Sequence, residues 1–307
     1  MMSGFCAIGE CMIEISGDGT NGWRLGFAGD TFNTTWYVRA LLPAAYPVAY
    51  FTAFGDDPFS REQQAFFEKH GIASHDSPVI EGGRPGLYAI TLDSAGERTF
   101  TYWRNDSAAR QLARRPAMLA RALRDKEIIY FSGITLAILD PSGRKELLAA
   151  ISQARNAGSK IVFDTNYRPS LWDSADTAKR EMAKAMRTCD ALLTTSDDET
   201  KLHGDSDPGA TLERLVAAGI PECVVKCGPE PALLFHANER HEIPAATGVD
   251  VRDTTGAGDS FNGAYLAARM QGHSPVQAAR LAHRIAARAV STYGALVPMD
   301  ELVDERF

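Results

Sequence analysis

The chain has 307 residues, 45% of them hydrophobic and 23% charged, with a formal net charge of −7; that is the composition of an ordinary globular protein with room for one large α/β core. The negative balance argues against a nucleic-acid-binding surface, which demands a basic stripe, but leaves open a small anionic ligand held by a few placed arginines. Five sparse cysteines (Cys6, Cys11, Cys189, Cys223, Cys227), without a second pair or a histidine cluster to complete a zinc site, read as thiols in a reducing compartment.

In chain order, short β-branched and aromatic runs predict strands over residues 5–8 and 12–15, then a helix over 31–42. A strand over 48–53 and a helix over 58–70 follow, then two adjacent strands over 87–92 and 98–103 with a turn at 93–96. From residue 116 the pattern alternates. Helices are expected over 116–124, 142–157, 175–187 and 210–218, and strands over 127–131, 160–163, 191–194, 222–226 and 232–236. Two helices, 260–270 and 275–293, close the chain. The β-α-β-α order after residue 125 signals a mostly parallel sheet covered by helices on both faces. Two segments break that rhythm, the polar, Gly-rich 14–27 and the strand pair within 84–104, and both fit a small β-sheet standing away from the core. The expected organisation is a core of residues 1–13, 28–83 and 105–307, with a β-lid of 14–27 and 84–104. No basic-then-apolar leader opens the chain, and the most apolar stretch, 40–55, contains Pro43 and Pro47. It is too short to span a bilayer, so a cytoplasmic protein is expected.

The string Asp253-Thr254-Thr255-Gly256-Ala257-Gly258-Asp259-Ser260-Phe261-Asn262-Gly263 runs from a polar loop into an Ala-rich helix. Gly256 and Gly258 allow a tight turn and close backbone approach, and free N–H groups at the helix start face an anion. An acid in such a turn repels a phosphate unless it takes a proton: Asp259 beside a γ-phosphoryl group is placed to accept one from an attacking hydroxyl. A bare Gly-x-Gly-Asp also suits a simple helix cap. No Gly-Lys-Ser/Thr follows, which excludes a Walker P-loop, and Phe261 stands where a dinucleotide fingerprint needs its third glycine.

The eleven-residue string resembles the C-terminal signature of the ribokinase-like (PfkB) sugar kinases. The resemblance implies a three-layer αβα sandwich with a mostly parallel central sheet and a β-lid, and a kinase using ATP and Mg²⁺. In that family the glycines form the anion hole, here Gly256, Ala257 and Gly258, and the last Asp is the base, here Asp259. Ala28-Gly29-Asp30-Thr31-Phe32-Asn33 resembles the family's Gly-Gly-x-x-x-Asn sugar motif, with Ala28 in place of the first glycine. Lys226-Cys227-Gly228 resembles its Lys-x-Gly nucleotide loop. Ser196-Asp197-Asp198-Glu199 stands where many members carry Asn-x-x-Glu, so Glu199 matches the residue that organises Mg²⁺ through water; an acidic helix start explains the same residues.

Arg104, in Arg98-Thr99-Phe100-Thr101-Tyr102-Trp103-Arg104-Asn105, and Arg168, in Asp164-Thr165-Asn166-Tyr167-Arg168, suggest the substrate class. A neutral sugar needs no cation, whereas a sugar acid rewards a guanidinium that grips its carboxylate. These strings, together with Gly9-Glu10-Cys11-Met12-Ile13-Glu14 and residues 131–139, resemble the sugar-acid kinases of the family over residues 5–298. The implied reaction is transfer to the 6-hydroxyl of a 2-keto-3-deoxy sugar acid. The implied substrate contacts are Gly29, Asn33, Tyr88, Tyr102, Arg104, Arg168 and Asp259; the implied nucleotide contacts are Asn166, Ser196, Lys226, Gly228, Gly256 and Gly258. A dimer through the lid is implied as well. A kinase for fructose or an epimeric acid, and a silent sugar-acid sensor on the same fold, remain as alternatives.

Overall fold

The structure, a computed structural model, describes residues 4–17, 22–92 and 98–306. The turn expected at 93–96 lies outside the described residues.

The chain opens with β1 (Gly4–Ile8), β2 (Met12–Ser16), β3 (Arg24–Ala28), α1 (Asp30–Leu41), β4 (Val48–Phe51) and the short β5 (Phe54–Gly55). There follow α2 (Pro58–Lys69), β6 (Val79–Ile80), β7 (Leu87–Leu92), β8 (Arg98–Trp103), a 3₁₀ segment (Ala108–Arg114) and α3 (Pro116–Leu123). The middle of the chain alternates: β9 (Lys126–Ser132), α4 (Gly133–Ile138), α5 (Pro141–Asn156), β10 (Lys160–Asp164), α6 (Ala175–Met186), β11 (Ala191–Thr195), α7 (Ser196–His203), α8 (Pro208–Ala217) and β12 (Glu222–Cys227). It ends with β13 (Glu230–His236), β14 (Glu239–Ile243), α9 (Ala257–Met270), α10 (Pro275–Val290) and a 3₁₀ segment (Met299–Glu305).

The main sheet has eight strands in the order β14-β13-β12-β11-β10-β9-β1-β4. Its pairings from β12 to β4 are parallel, and β13 and β14 add an antiparallel margin. Alternation along the strands feeds two cores. Phe5, Ala7, Tyr130 and Leu193 pack with Phe32 and Tyr37 of α1, Phe261 and Tyr265 of α9, and Ile285 of α10. Cys6, Ile8, Phe131 and Leu192 turn the other way, onto Leu123 of α3, Ile151 of α5, Met182 of α6 and Leu215 of α8. With apolar side chains on both faces, the sheet needs a helix layer on each, which makes the three layers expected. Local chemistry starts the helices: Asp57 caps α2 before Pro58, Asp140 caps α5 before Pro141, and Ser274 with Gln277 forms a capping box on α10.

A second sheet, ordered β3-β2-β7-β8, stands apart from the first. Its β2 pairs antiparallel with β3 and parallel with β7. One face carries buried Met12, Tyr88 and Ile90. On the other side a shallow apolar surface is formed by Ile15, Trp23, Leu87, Ala89 and Trp103. The strand β14 and the helix α4 were not expected from the sequence, while β3 falls largely in the 14–27 segment expected to be sheet without strand bounds, and α7 begins at the acidic helix start weighed for Ser196–Glu199. Glu239-Arg240-His241-Glu242-Ile243 is a charged, mostly exposed edge strand without an apolar period, and Gly133–Ile138 is too short for a helical one.

All five cysteines are free thiols, four of them buried. Among the described residues no helix is long and apolar enough to cross a membrane.

Candidate active site

The parallel strands β1, β9, β10, β11 and β12 all end toward the same edge, where ligands sit in such sheets. A cavity of about 940 Å³ opens there between the two sheets. Its lining includes every residue the sequence assigns to the sugar: Gly29, Asn33, Tyr88, Tyr102, Arg104, Arg168 and Asp259.

Asp259 lies in the first turn of α9, whose N-cap is Gly256. Gly256 holds φ +74°, and a Cβ there would meet the Ala295 carbonyl oxygen at 3.0 Å, so the turn requires glycine. First-turn N–H groups have no intrahelical carbonyl. That of Ala257 donates to Thr254 O at 3.2 Å within the turn, which leaves the N–H groups of Gly256, Gly258 and Asp259 as the turn's capacity for an anion. Asp253 braces the turn, accepting from Thr255 N at 2.9 Å and from Gly294 N.

α1 lies tightly against α9 because Gly263 faces it: a Cβ there would meet Tyr37 Cβ at 2.5 Å and Thr34 O at 2.6 Å. That approach lets Asn33 Nδ2 donate to Asp259 Oδ2 at 2.8 Å and Thr34 Oγ1 donate to Asp259 O at 3.3 Å. Burial, reinforced by the charges of Asp30 and Asp164, pushes the Asp259 carboxyl up to about 7, against the Asn33 hydrogen bond and the Lys226 charge.

Asp30 also lines this cavity, although within the Ala28–Asn33 string only Gly29 and Asn33 were assigned to the sugar. It accepts from Ser132 Oγ and, at 3.1 Å, from Asn166 Nδ2, and burial raises its pKa. Asn166, at φ +31°, lines the same cavity. Lys226 is buried beneath the turn, its Nζ donating to Asn262 Oδ1 at 2.9 Å and to Asp164 Oδ2 at 3.3 Å. Gly228 is exposed just past the end of β12, at φ +60°. Ser196 opens α7, whose N-cap Thr195 accepts from Asp198 N at 3.1 Å; neither Ser196 nor Gly228 lines the cavity. Glu199 is wholly buried, taking hydrogen bonds from Thr194 Oγ1 and Arg214.

Both arginines carry protein carboxylates. Arg104, 7% exposed, pairs with the fully buried Glu10 side chain. Arg168, half exposed, pairs with Asp198 at 3.0 Å. Tyr88 donates to Glu14 and lies 5.7 Å from the ring of Tyr102, which is half exposed at the cavity. The pairings of Arg104 and Arg168 were invisible to sequence reasoning, since nothing local links residue 10 with 104 or 168 with 198.

Residues 2–302 match the family model described as pfkB family carbohydrate kinase. The chain is 40% identical over 301 residues to a 2-dehydro-3-deoxygluconokinase of Dickeya dadantii (strain 3937), covering 96% of this chain and 97% of that one. It is 38% identical over 308 residues to a protein of the same description from Escherichia coli (strain K12), covering 98% and 99%. Among solved structures, a 2-dehydro-3-deoxygluconokinase from Thermotoga maritima superposes with a TM-score of 0.82 at 20% identity, each chain covered to 99%. A fructokinase with bound ATP from Xylella fastidiosa gives 0.84 at 21%, covering 99% of this chain and 98% of that one.

Proposed function

The chain belongs to the pfkB family of carbohydrate kinases, and from that footing we propose that it moves the γ-phosphoryl group of ATP onto the 6-hydroxyl of 2-dehydro-3-deoxy-D-gluconate, giving 2-dehydro-3-deoxy-6-phospho-D-gluconate. The observation that carries the substrate is the near-full-length identity to the two curated 2-dehydro-3-deoxygluconokinases. Supporting it, the side chains assigned to the sugar converge on one cavity.

In this reading the substrate carboxylate docks on Arg104 and Arg168, with Tyr88 and Tyr102 beside it and Gly29 and Asn33 beneath. Asp259 takes the proton of the 6-hydroxyl as its oxygen attacks the γ-phosphorus in line. The bond to the β-phosphate oxygen breaks, ADP leaves, and the proton passes from Asp259 to water. N–H groups of the Gly256–Gly258 turn and of Asp259 hold the developing charge. A carboxyl poised near pH 7 suits a base working at that pH. Asn166, Ser196, Lys226 and Gly228, at or just beyond the ends of β10 to β12, are assigned to the nucleotide in this reading. Mg²⁺ enters as the counter-ion of ATP; Glu199, already spent on Arg214 and Thr194, fits a water-bridged role only through those partners. The small sheet, β3-β2-β7-β8, acts as a lid that excludes water on closing, and its outer apolar face pairs with a second copy of the chain.

One observation favours a neutral sugar such as fructose instead: Arg104 and Arg168 are each already neutralised by a carboxylate. A coupled ADP-release assay with 2-dehydro-3-deoxygluconate, its galactonate epimer, gluconate, fructose and ribose separates the readings. Turnover confined to the 2-keto-3-deoxy acids is expected. Turnover on fructose or ribose overturns the carboxylate assignment, and silence throughout, with thermal stabilisation by the sugar acid, points to a sensor.

A further inference from the structure

We propose that Glu10 is a positioning residue for sugar-acid binding: it holds the Arg104 guanidinium at the junction of the two sheets and keeps it off the cavity's own carboxylates. This rests on the sugar-acid reading above.

Glu10 lies in the short connection from β1 of the main sheet to β2 of the small one, and Arg104 directly follows β8. The pair therefore sits where the chain leaves one sheet and where it returns from the other. Glu10 is 1% exposed. Gly86, the residue before β7, crosses directly over the pair: a Cβ there would meet Glu10 Oε1 at 2.7 Å and Arg104 Cβ at 3.1 Å. Backbone without a side chain at this crossing is what gives the Glu10 carboxylate its space.

The contact is a single-point pair, not a two-pronged one. Arg104 uses one terminal nitrogen on Glu10 Oε2, while Arg104 Nε and Glu10 Oε1 are buried without hydrogen-bond partners. A guanidinium has five donors in a rigid fork, so one bond to Glu10 tethers the group and leaves donors for a second carboxylate. The Tyr102 ring, 5.9 Å from the guanidinium carbon, covers one side.

Charge explains why Glu, rather than a neutral residue, stands here. A buried guanidinium without a counter-ion is strongly unfavourable. The Asp30 carboxylate feels the Arg104 charge and lines the same cavity. With Glu10 neutralised, Arg104 is drawn to Asp30, where its fork is spent before a substrate arrives. A buried ion pair serving only to tie two sheets together would instead cost stability and leave substrate affinity alone.

The test is steady-state kinetics of the full chain with ATP and 2-dehydro-3-deoxygluconate. In Glu10→Gln, the KM for the sugar acid is expected to rise by about tenfold or more, with kcat and the KM for ATP held within about twofold. Glu10→Asp, which keeps the charge, recovers part of that loss. The Glu10→Gln, Arg104→Gln double variant loses no more than Arg104→Gln alone, because Glu10 acts through Arg104. An unchanged sugar-acid KM beside a lowered melting temperature overturns the proposal, as does additive loss in the double variant. If Glu10→Gln does not fold, Glu10→Asp decides: a raised KM at constant kcat supports the proposal, and an unchanged KM overturns it. A wild-type chain inactive on the sugar acid removes the substrate assignment and the proposal together; an active wild type with an indifferent Glu10 removes only the latter.

Discussion

Asn33 donates its amide N–H to Asp259 Oδ2 across 2.8 Å, joining two residues 226 positions apart in the chain. The bond commits one carboxylate oxygen, leaves Oδ1 to accept a proton, and favours the charged form that burial disfavours. The proposed base is thus held by the helix that also carries the sugar motif.

Asp259→Asn removes the proton acceptor while keeping the shape. Its kcat is expected to fall by about two to four orders of magnitude, with the sugar KM changed little. Single-turnover and steady-state assays check this, and near-normal turnover would remove Asp259 from the role.

The same carboxyl sets a pH dependence. With Asp259 at about 7 in the free protein, kcat/KM is expected to rise with pH and level off above about 7. Asn33→Ala, lacking the bond that favours the charge, should move that limb to higher pH. Stability runs the other way. The folded carboxyl sits at about 7 against an ordinary 3.8, so the folded chain holds a proton that the unfolded chain has lost. The stabilisation from that proton is complete below pH 3.8, declines as pH rises, and is gone above about 7. Melting temperatures of Asp259→Asn relative to wild type should therefore climb across that window and then stay level; a constant difference would contradict the shift.

Gly263→Ala places a methyl group where Tyr37 Cβ and Thr34 O already stand, at 2.5 and 2.6 Å. Separating α1 from α9 to admit it should cost about 1–3 kcal/mol and lower kcat by lengthening the Asn33–Asp259 bond. Denaturant melts and kinetics read both effects, and a normal melt would refute the packing.

Arg214→Met strands the wholly buried Glu199 carboxylate. Breaking a buried pair costs about 3–5 kcal/mol, and with Arg214 30% exposed the lower end is expected. Adding Glu199→Gln should recover much of that loss. A loss of activity without loss of stability would speak instead for a direct part in the reaction.

Trp103→Glu puts a charge on the outer apolar face of the small sheet, where Trp103 is among the most exposed aromatic side chains described. If two copies meet there, light scattering should report a shift from dimer to monomer. An unchanged mass would remove this face as the contact.

The parallel sheet and its helices were legible because both leave periodic apolar patterns, and the Gly256–Asp259 turn because its chemistry is contiguous. β3 was less so: Arg24 and Leu25 are exposed, so no alternation marks it. Asp30 and Glu10 were missed for a different reason. Each owes its place to partners 94 to 136 positions away, Arg104 for one and Ser132 and Asn166 for the other. No window of sequence holds both ends of such a contact. The carboxylates beside Arg104 and Arg168 were hidden in the same way, so a reading from residue types alone made those side chains freer than they are.

The pairing of β2 with β7 is parallel, and a parallel pair cannot be closed by a tight turn. The small sheet is therefore two separate two-stranded pieces, β2–β3 and β7–β8, married only after the chain has passed through α1 and α2. A lone two-stranded ribbon is marginal in water. Neither piece is expected to persist when cut out or transplanted, and the sheet should melt with the main body in one transition. What looks like an accessory flap is, as a folding unit, inseparable from the body it covers.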